Sequence, residues 1–175
     1  MVGGGGLARG TSAAEDAGSA GGDAGGTCQA APDTDGGSGP GLIVSEVAPG
    51  PGGFVELYNR TSTSYSASDV VIEAFGASRA LAGPLAAGGR AVAWFASVPD
   101  SGEVVVTVDG AIAAYVCWGQ VAPSADQNLA ATQGAWLSPG SCALSPPAGE
   151  SIHATGSGRL AGEYVAGPPS PATCP

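Results

Sequence analysis

The chain predicts an all-β sandwich preceded by a disordered glycine- and aspartate-rich tail. Three observations point there. From Leu42 onward, short runs of β-branched and aromatic residues are broken at close intervals by Gly, Pro, Asn and Asp. All ten aromatic residues lie after position 53. Neither a heptad pattern nor a repeat of useful period appears, which removes coiled-coil and solenoid alternatives.

The chain divides into residues 1–40, an acidic Gly/Ala-rich linker, and residues 41–175, one folded domain. The first 40 residues hold 13 glycines, five acids and one arginine, with Val2 and Leu7 as their only sizeable aliphatics. Such a segment buries too little apolar area to offset the entropy of ordering it.

The elements follow in order. Leu42 to Val47 and Phe54 to Asn59 are two strands joined by a Gly/Pro turn. In the second, Val55 and Leu57 share one face, and Phe54, Glu56 and Tyr58 share the other. Asp69 to Phe75 is a third strand, and Arg90 to Ala96, after Gly88-Gly89, a fourth. Val104, Val106 and Val108 alternate with Glu103, Val105 and Thr107. Asp109-Gly110 then leads into Ala111 to Val116. This two-residue loop suits a type I′ turn, because glycine accepts positive φ cheaply. A short helix at Asp126–Thr132 is capped by Ser124 or Asp126. Two last strands run over Glu150–Ala154 and Glu163–Val165.

Composition narrows function. Lysine is absent, the five basic residues are all arginine, and fifteen acids give a net charge of −10. Such a chain repels phosphate backbones and anionic membranes, so neither nucleic acid nor a membrane surface is expected as partner. No apolar run is long enough to cross a bilayer. Met1 to Gly6 lacks a charged segment followed by a hydrophobic one, so no signal peptide is visible.

Cys28, Cys117, Cys142 and Cys174 form an even set without a CxxC pair, which reads as disulfides rather than a metal site. Four cysteines allow three connectivities. Cys117–Cys142 is favoured, since both lie in the folded region and close a modest loop, a closure that contributes about 3 kcal/mol by the loop-entropy relation. The competing reading is four free thiols in a reducing compartment.

The segment Leu42 to Asn59, LIVSEVAPGPGGFVELYN, resembles the opening hairpin of the lamin tail domain, a small immunoglobulin-like β-sandwich. LAGPLAAGGRAVAWFA looks like that family's step from proline through Ala-Gly-Gly into a hydrophobic strand, and VDGAIAAYVCWG resembles its late hairpin. The ending GESIHATGSG followed by PPSPAT resembles its closing strand and Ser-Pro-Gly-Ala motif. The resemblance runs from about Leu42 to Pro175 and is closest to bacterial exported lamin-tail proteins. The Gly-Trp of the family's third strand is missing from Ala67 to Ile72, and the closing motif is Ser170-Pro171-Ala172-Thr173. No rod, basic localisation run or prenylation box is present, since Cys174 is one residue from the end. The resemblance implies a fold without fixed chemistry.

Several residues invite a chemical reading. Glu46, Glu56 and Asn59 are the polar residues of the opening hairpin. A carboxylate pair suits acid–base work or a cation, but capping turns and satisfying strand-end amides is the expected role. His153 is the sole histidine, and Ser151 shares its strand face. A nucleophile-elbow Gly-x-Ser-x-Gly is absent, so no catalytic residue is assigned. Asp33-Thr34-Asp35-Gly36 fails the EF-hand spacing. Asp100, Glu103 and Asp109 read as edge charges that discourage strand pairing. Asn59-Arg60-Thr61 matches a glycosylation triplet by pattern only. Trp118 and Trp136 bracket an irregular region near the cysteines, and are the candidates for a binding surface if they are not core.

Together these readings predict a non-enzymatic module, secreted or in the cell envelope, that binds a protein or carbohydrate at the cell surface in a structural or adhesive role. It needs no cofactor and no metal. The alternative is an accessory domain of an exported hydrolase or nuclease system, because lamin-tail domains accompany such enzymes.

Overall fold

The computed structural model describes residues 41–171. The expected linker of residues 1–40, with Cys28 and the Asp33–Gly36 run, and Cys174 lie outside the described residues. The strands are β1 (Leu42–Ala48), β2 (Gly50–Pro51), β3 (Phe54–Asn59), β4 (Val70–Ala74), β5 (Ala77–Ala80), β6 (Arg90–Trp94), β7 (Ser97–Val98), β8 (Gly102–Val108), β9 (Ala111–Trp118), β10 (Ser151–Ala154) and β11 (Tyr164–Gly167). One helix, α1 (Ala125–Thr132), follows β9, and a 3₁₀ turn, Ala161–Glu163, precedes β11.

The strands build an antiparallel sheet in the order β11-β10-β1-β3-β6 and a second in the order β5-β4-β8-β9, with β2 and β7 as a small ribbon. Their inner faces share one core, including Leu42, Val44, Val55 and Leu57 from the first sheet and Ile72, Val104, Val106 and Val116 from the second. This is the all-β sandwich that the strand pattern predicts.

The register decides which residues face the core. Val44 lies opposite Leu57 and Val47 opposite Val55, and all four are in the core. Between these pairs the register shifts, leaving Ser45 as a bulge. Without that extra residue strict alternation would turn Glu46 inward and Val47 outward. The bulge restores Val47 to the core and puts Glu46 on the outer face beside Glu56. Leu57 is fully buried. Replacing it by alanine is expected to cost about 2–5 kcal/mol in urea unfolding, as for a large aliphatic lost from a packed core. A cost under about 1 kcal/mol would mean the face assignment is wrong.

The β8–β9 hairpin turns on Asp109 (φ 51°) and Gly110 (φ 79°), the two positive angles of a type I′ loop. A Cβ on Gly110 would meet no neighbour, so only backbone strain opposes it. Gly110→Ala is therefore expected to lower stability by about 1 kcal/mol, readable as a shift in thermal midpoint.

The β4–β5 connection is a second two-residue loop, Phe75-Gly76, with φ 54° and 74°. The third strand accordingly stops at Ala74, short of the expected Phe75. A phenylalanine at positive φ is costly. Its ring is held edge-on to Phe95 and Trp118, at centroid distances of 5.3 and 5.8 Å.

Helix α1 begins at Ala125 with Ser124 as its cap, the Ser124 hydroxyl accepting from the Gln127 amide at 2.9 Å. Eight residues are too few for a self-supporting helix. Tertiary contacts hold it: Gln127 and Ala130 are buried, and the Gln133 carboxamide oxygen accepts from the Ile112 amide of β9.

Candidate functional site

The polar residues singled out in the sequence converge on the outer face of the five-stranded sheet. Antiparallel pairing sets Glu46 between His153 and Glu56, with Val92 beyond Glu56. The adjacent row is Ile43, Tyr58 and Arg90. An outer face is ordinarily solvated, yet Glu46, Glu56 and Tyr58 are all buried. The cover comes from residues distant in sequence. The Arg90 guanidinium lies over the Tyr58 ring, 4.5 Å from its centroid, and donates to Glu56. Glu56 also accepts from the hydroxyl of the bulged Ser45 at 2.6 Å. The segment after β11 lies over Glu46, where Ser170 donates through its amide at 2.9 Å and its hydroxyl at 3.1 Å.

Ser151, His153 and Glu46 meet in one cluster. The Ser151 hydroxyl lies 2.6 Å from Glu46 Oε1 and 2.8 Å from His153 Nε2. His153 Nδ1 stands 3.7 Å from Glu46 Oε2, beyond hydrogen-bond reach. A hydroxyl has one proton, and the carboxylate is the stronger and nearer acceptor. Ser151 therefore donates to Glu46 and accepts from the protonated Nε2 of His153. A hydrolase needs the reverse, with serine giving its proton to histidine and the acid orienting the far ring nitrogen. Ser151 is also fully buried, so its oxygen has no path to a substrate. The cluster ties β1, β10 and the segment after β11 together.

Asn59 has a similar structural employment. Its Nδ2 donates to the Thr63 and Ala86 carbonyls, each at 2.8 Å, and its Oδ1 accepts from the Thr61 amide and hydroxyl. Asn59 is fully buried, so the Asn59-Arg60-Thr61 triplet offers no accessible amide nitrogen.

Cys117 and Cys142 form a buried disulfide, with Cα atoms 4.9 Å apart. The favoured pairing is the one found. Around it the irregular region becomes specific. The Gln127 amide nitrogen donates to Cys117 Sγ and to the Ser141 carbonyl, and its oxygen accepts from the Gly140 amide. Ala143 pairs in parallel with Trp118, extending the β9 side of the second sheet.

Trp118 and Trp136 are not a surface. Both are fully buried, which corrects their reading as a binding patch. Trp118 donates its indole N–H to the Pro99 carbonyl, and Trp136 donates to Ser138 and Ser141. Trp136 packs against Tyr115 and Tyr164, with centroids 5.5 and 6.3 Å away. Large aromatics flanking a disulfide fill the gap between sheet and loop. The exposed indole is that of Trp94, 47% accessible and packed at a tilt against Phe54.

No family model matches the chain, and no curated protein or solved structure matches it.

Tyr115, Glu103, Tyr164 and Glu163 serve the scaffold. Burial, reinforced by the hydrogen bond to Glu103, raises the Tyr115 phenol well above its ordinary range. Glu103 also accepts from Ser124, so this expected edge charge anchors the helix cap. Tyr164 is raised likewise, by burial and then by the nearby Glu163 charge, and its hydroxyl donates to the Val44 carbonyl. For Glu163, burial alone would raise the carboxyl. Hydrogen bonds from Ser157 and from the Arg159 and Leu160 amides outweigh it and hold the group below its ordinary value. Among the described residues no group of three His, Cys, Asp or Glu side chains is placed to hold a metal ion. No helix among them is long and apolar enough to cross a membrane.

The Ser151–His153 pairing was visible in the sequence from strand alternation. The share of Glu46 and Ser170 in it was not, because they lie more than a hundred residues apart. The Glu56–Arg90 pair and the burial of Gln127 left no local signal.

Proposed function

We propose that the chain is a non-enzymatic, lamin-tail-like sandwich module, secreted or held in the cell envelope, where it binds a protein or carbohydrate in a structural or adhesive role. The observation that carries this reading is the buried Cys117–Cys142 disulfide, which fastens the segment after β9 back onto the sheet. Disulfides form and persist in oxidising compartments and are rare in the cytosol. The non-catalytic part is supported by the Ser151 proton, which is committed to Glu46 inside a closed cluster.

Intact mass measurement of the protein from its native host, with thiol labelling before and after reduction, tests the compartment. Cys117 and Cys142 are expected to resist labelling until reduced. Full labelling without reduction would place the chain in a reducing compartment and remove the reading. A screen against ester, phosphodiester and glycoside substrates tests the chemistry. No turnover that depends on His153 is expected, and a turnover abolished by His153→Ala would overturn the non-enzymatic assignment.

A further inference from the structure

The two long edges of the sandwich differ. On one side α1 packs along β9, Ala143 bridges Trp118, and the disulfide locks this cover in place. On the other side the sheets end on β6 and β5, and no strand among the described residues lies beyond either. Between them runs a groove of about 310 Å³, with Arg79 and Leu81 on one wall and Val92 and Trp94 on the other.

The backbone of β6 is poised for pairing. The Asn59 amide donates to the Gly89 carbonyl, and the Phe95 amide donates to the Gly53 carbonyl. Odd-numbered residues of this stretch therefore turn their amides and carbonyls toward β3. In an antiparallel ladder the alternate residues turn theirs the opposite way, so the N–H and C=O of Val92 and Trp94 face the open edge. The side chains there rest against internal phenylalanine rings yet keep a large solvent-facing surface. Trp94 is half exposed. No carboxylate among the described residues lies within ion-pair distance of Arg79, whose guanidinium rests over the Phe95 ring at 5.0 Å.

We propose that this open edge binds an extended peptide segment of a partner protein, added as a strand beside β6, with one acidic side chain against Arg79 and an apolar one against Trp94. A strand edge offers alternating donors and acceptors that another backbone matches. An exposed indole alone would suit a sugar equally, and the edge N–H and C=O groups beside it, which pair with no strand among the described residues, favour a peptide. The net charge of −10 restricts the acidic content, since a run of carboxylates would be repelled and a single one is sufficient for Arg79. The inference rests on the proposed binding role and names its partner class.

Panning a displayed library of random heptapeptides against the full-length oxidised chain is expected to enrich apolar, β-prone peptides carrying one acidic residue. The synthesised winners should bind saturably and change tryptophan fluorescence, which reports Trp94 because Trp118 and Trp136 are buried. Val92→Pro removes an edge N–H that no sheet bond among the described residues uses, and is expected to weaken binding by about tenfold with the melting curve preserved. Arg79→Glu, on a fully exposed strand, is expected to turn the selected charge from acidic to basic. Should Val92→Pro fail to fold, the charge reversal by Arg79→Glu still decides. Absence of enrichment, or binding that neither substitution alters, overturns the proposal. So does a Trp94 response to soluble polysaccharide alone, which would leave the module reading intact. A turnover lost on His153→Ala would instead remove the module reading and leave the peptide measurement to stand separately.

Discussion

Arg90→Ala is expected to destabilise the protein by about 3 kcal/mol, well beyond an ordinary surface arginine, because it withdraws a cation in direct contact with a buried carboxylate. Glu56 is 2% exposed, and its Oε1 receives both Arg90 and Ser45. An exposed ion pair contributes at most about 1 kcal/mol, since water replaces either partner cheaply. Here water has little access to Glu56 once the guanidinium is in place. The arginine stem and head also cover Tyr58, so its loss exposes aromatic surface as well. The two contributions separate in a double-mutant cycle. Adding Glu56→Gln to Arg90→Ala should recover most of the electrostatic loss, since a neutral amide is cheaper to leave in that environment. What remains measures the uncovered ring. A cost under about 1 kcal/mol in urea melts would mean that Arg90 is a solvated charge and the outer face is not sealed by it.

This pair also marks the boundary of what the sequence made legible. The β8–β9 hairpin was readable because its information is local: alternating valines and an Asp-Gly loop whose positive φ angles the residue types allow. The helix start was readable for the same reason, with Ser124 and Asp126 both open as its cap and Ser124 the one found. The disulfide was readable from two cysteines flanking a loop in the folded region. The β4–β5 hairpin was not, because its turn uses Phe75 in place of Asn or Asp, and Ala77–Ala80 has no β-branched residue. Phe75 is held at the strained angle with its ring against Phe95 and Trp118, contacts absent from any local window. Which of the tryptophans stays exposed was not readable, for the same physical reason. Whether an indole is covered depends on which distant segment folds over it, and for Trp136 that is Tyr115 and Tyr164. Burial of Glu46, Glu56 and Tyr58 on an outer face likewise depends on Arg90 and on Ser170 near the far end of the described chain.

Removing the disulfide is expected to have an effect of the same order, distributed differently. Cys117 and Cys142 are 25 residues apart. The loop-entropy relation for that closure gives about 3.5 kcal/mol at room temperature for Cys117→Ala with Cys142→Ala. The folded-state contacts decide where the loss appears. Gln127 is buried against both sulfurs, and Trp136 donates to the Ser141 carbonyl next to Cys142. Without the bridge, α1 and the stretch through Ala143 lose the link that shortens their search for the sheet, while β1, β3, β4 and β8 keep their full core. Hydrogen exchange in the double variant should therefore show protection falling first in residues 120–149, ahead of the global unfolding read by β3 and β8. Reduction of the unmodified protein should reproduce that order, because it breaks the same link without altering side-chain packing. Uniform loss of protection across all strands would mean that this segment and the sheets unfold as one unit, with the disulfide stabilising the whole sandwich rather than its closed side.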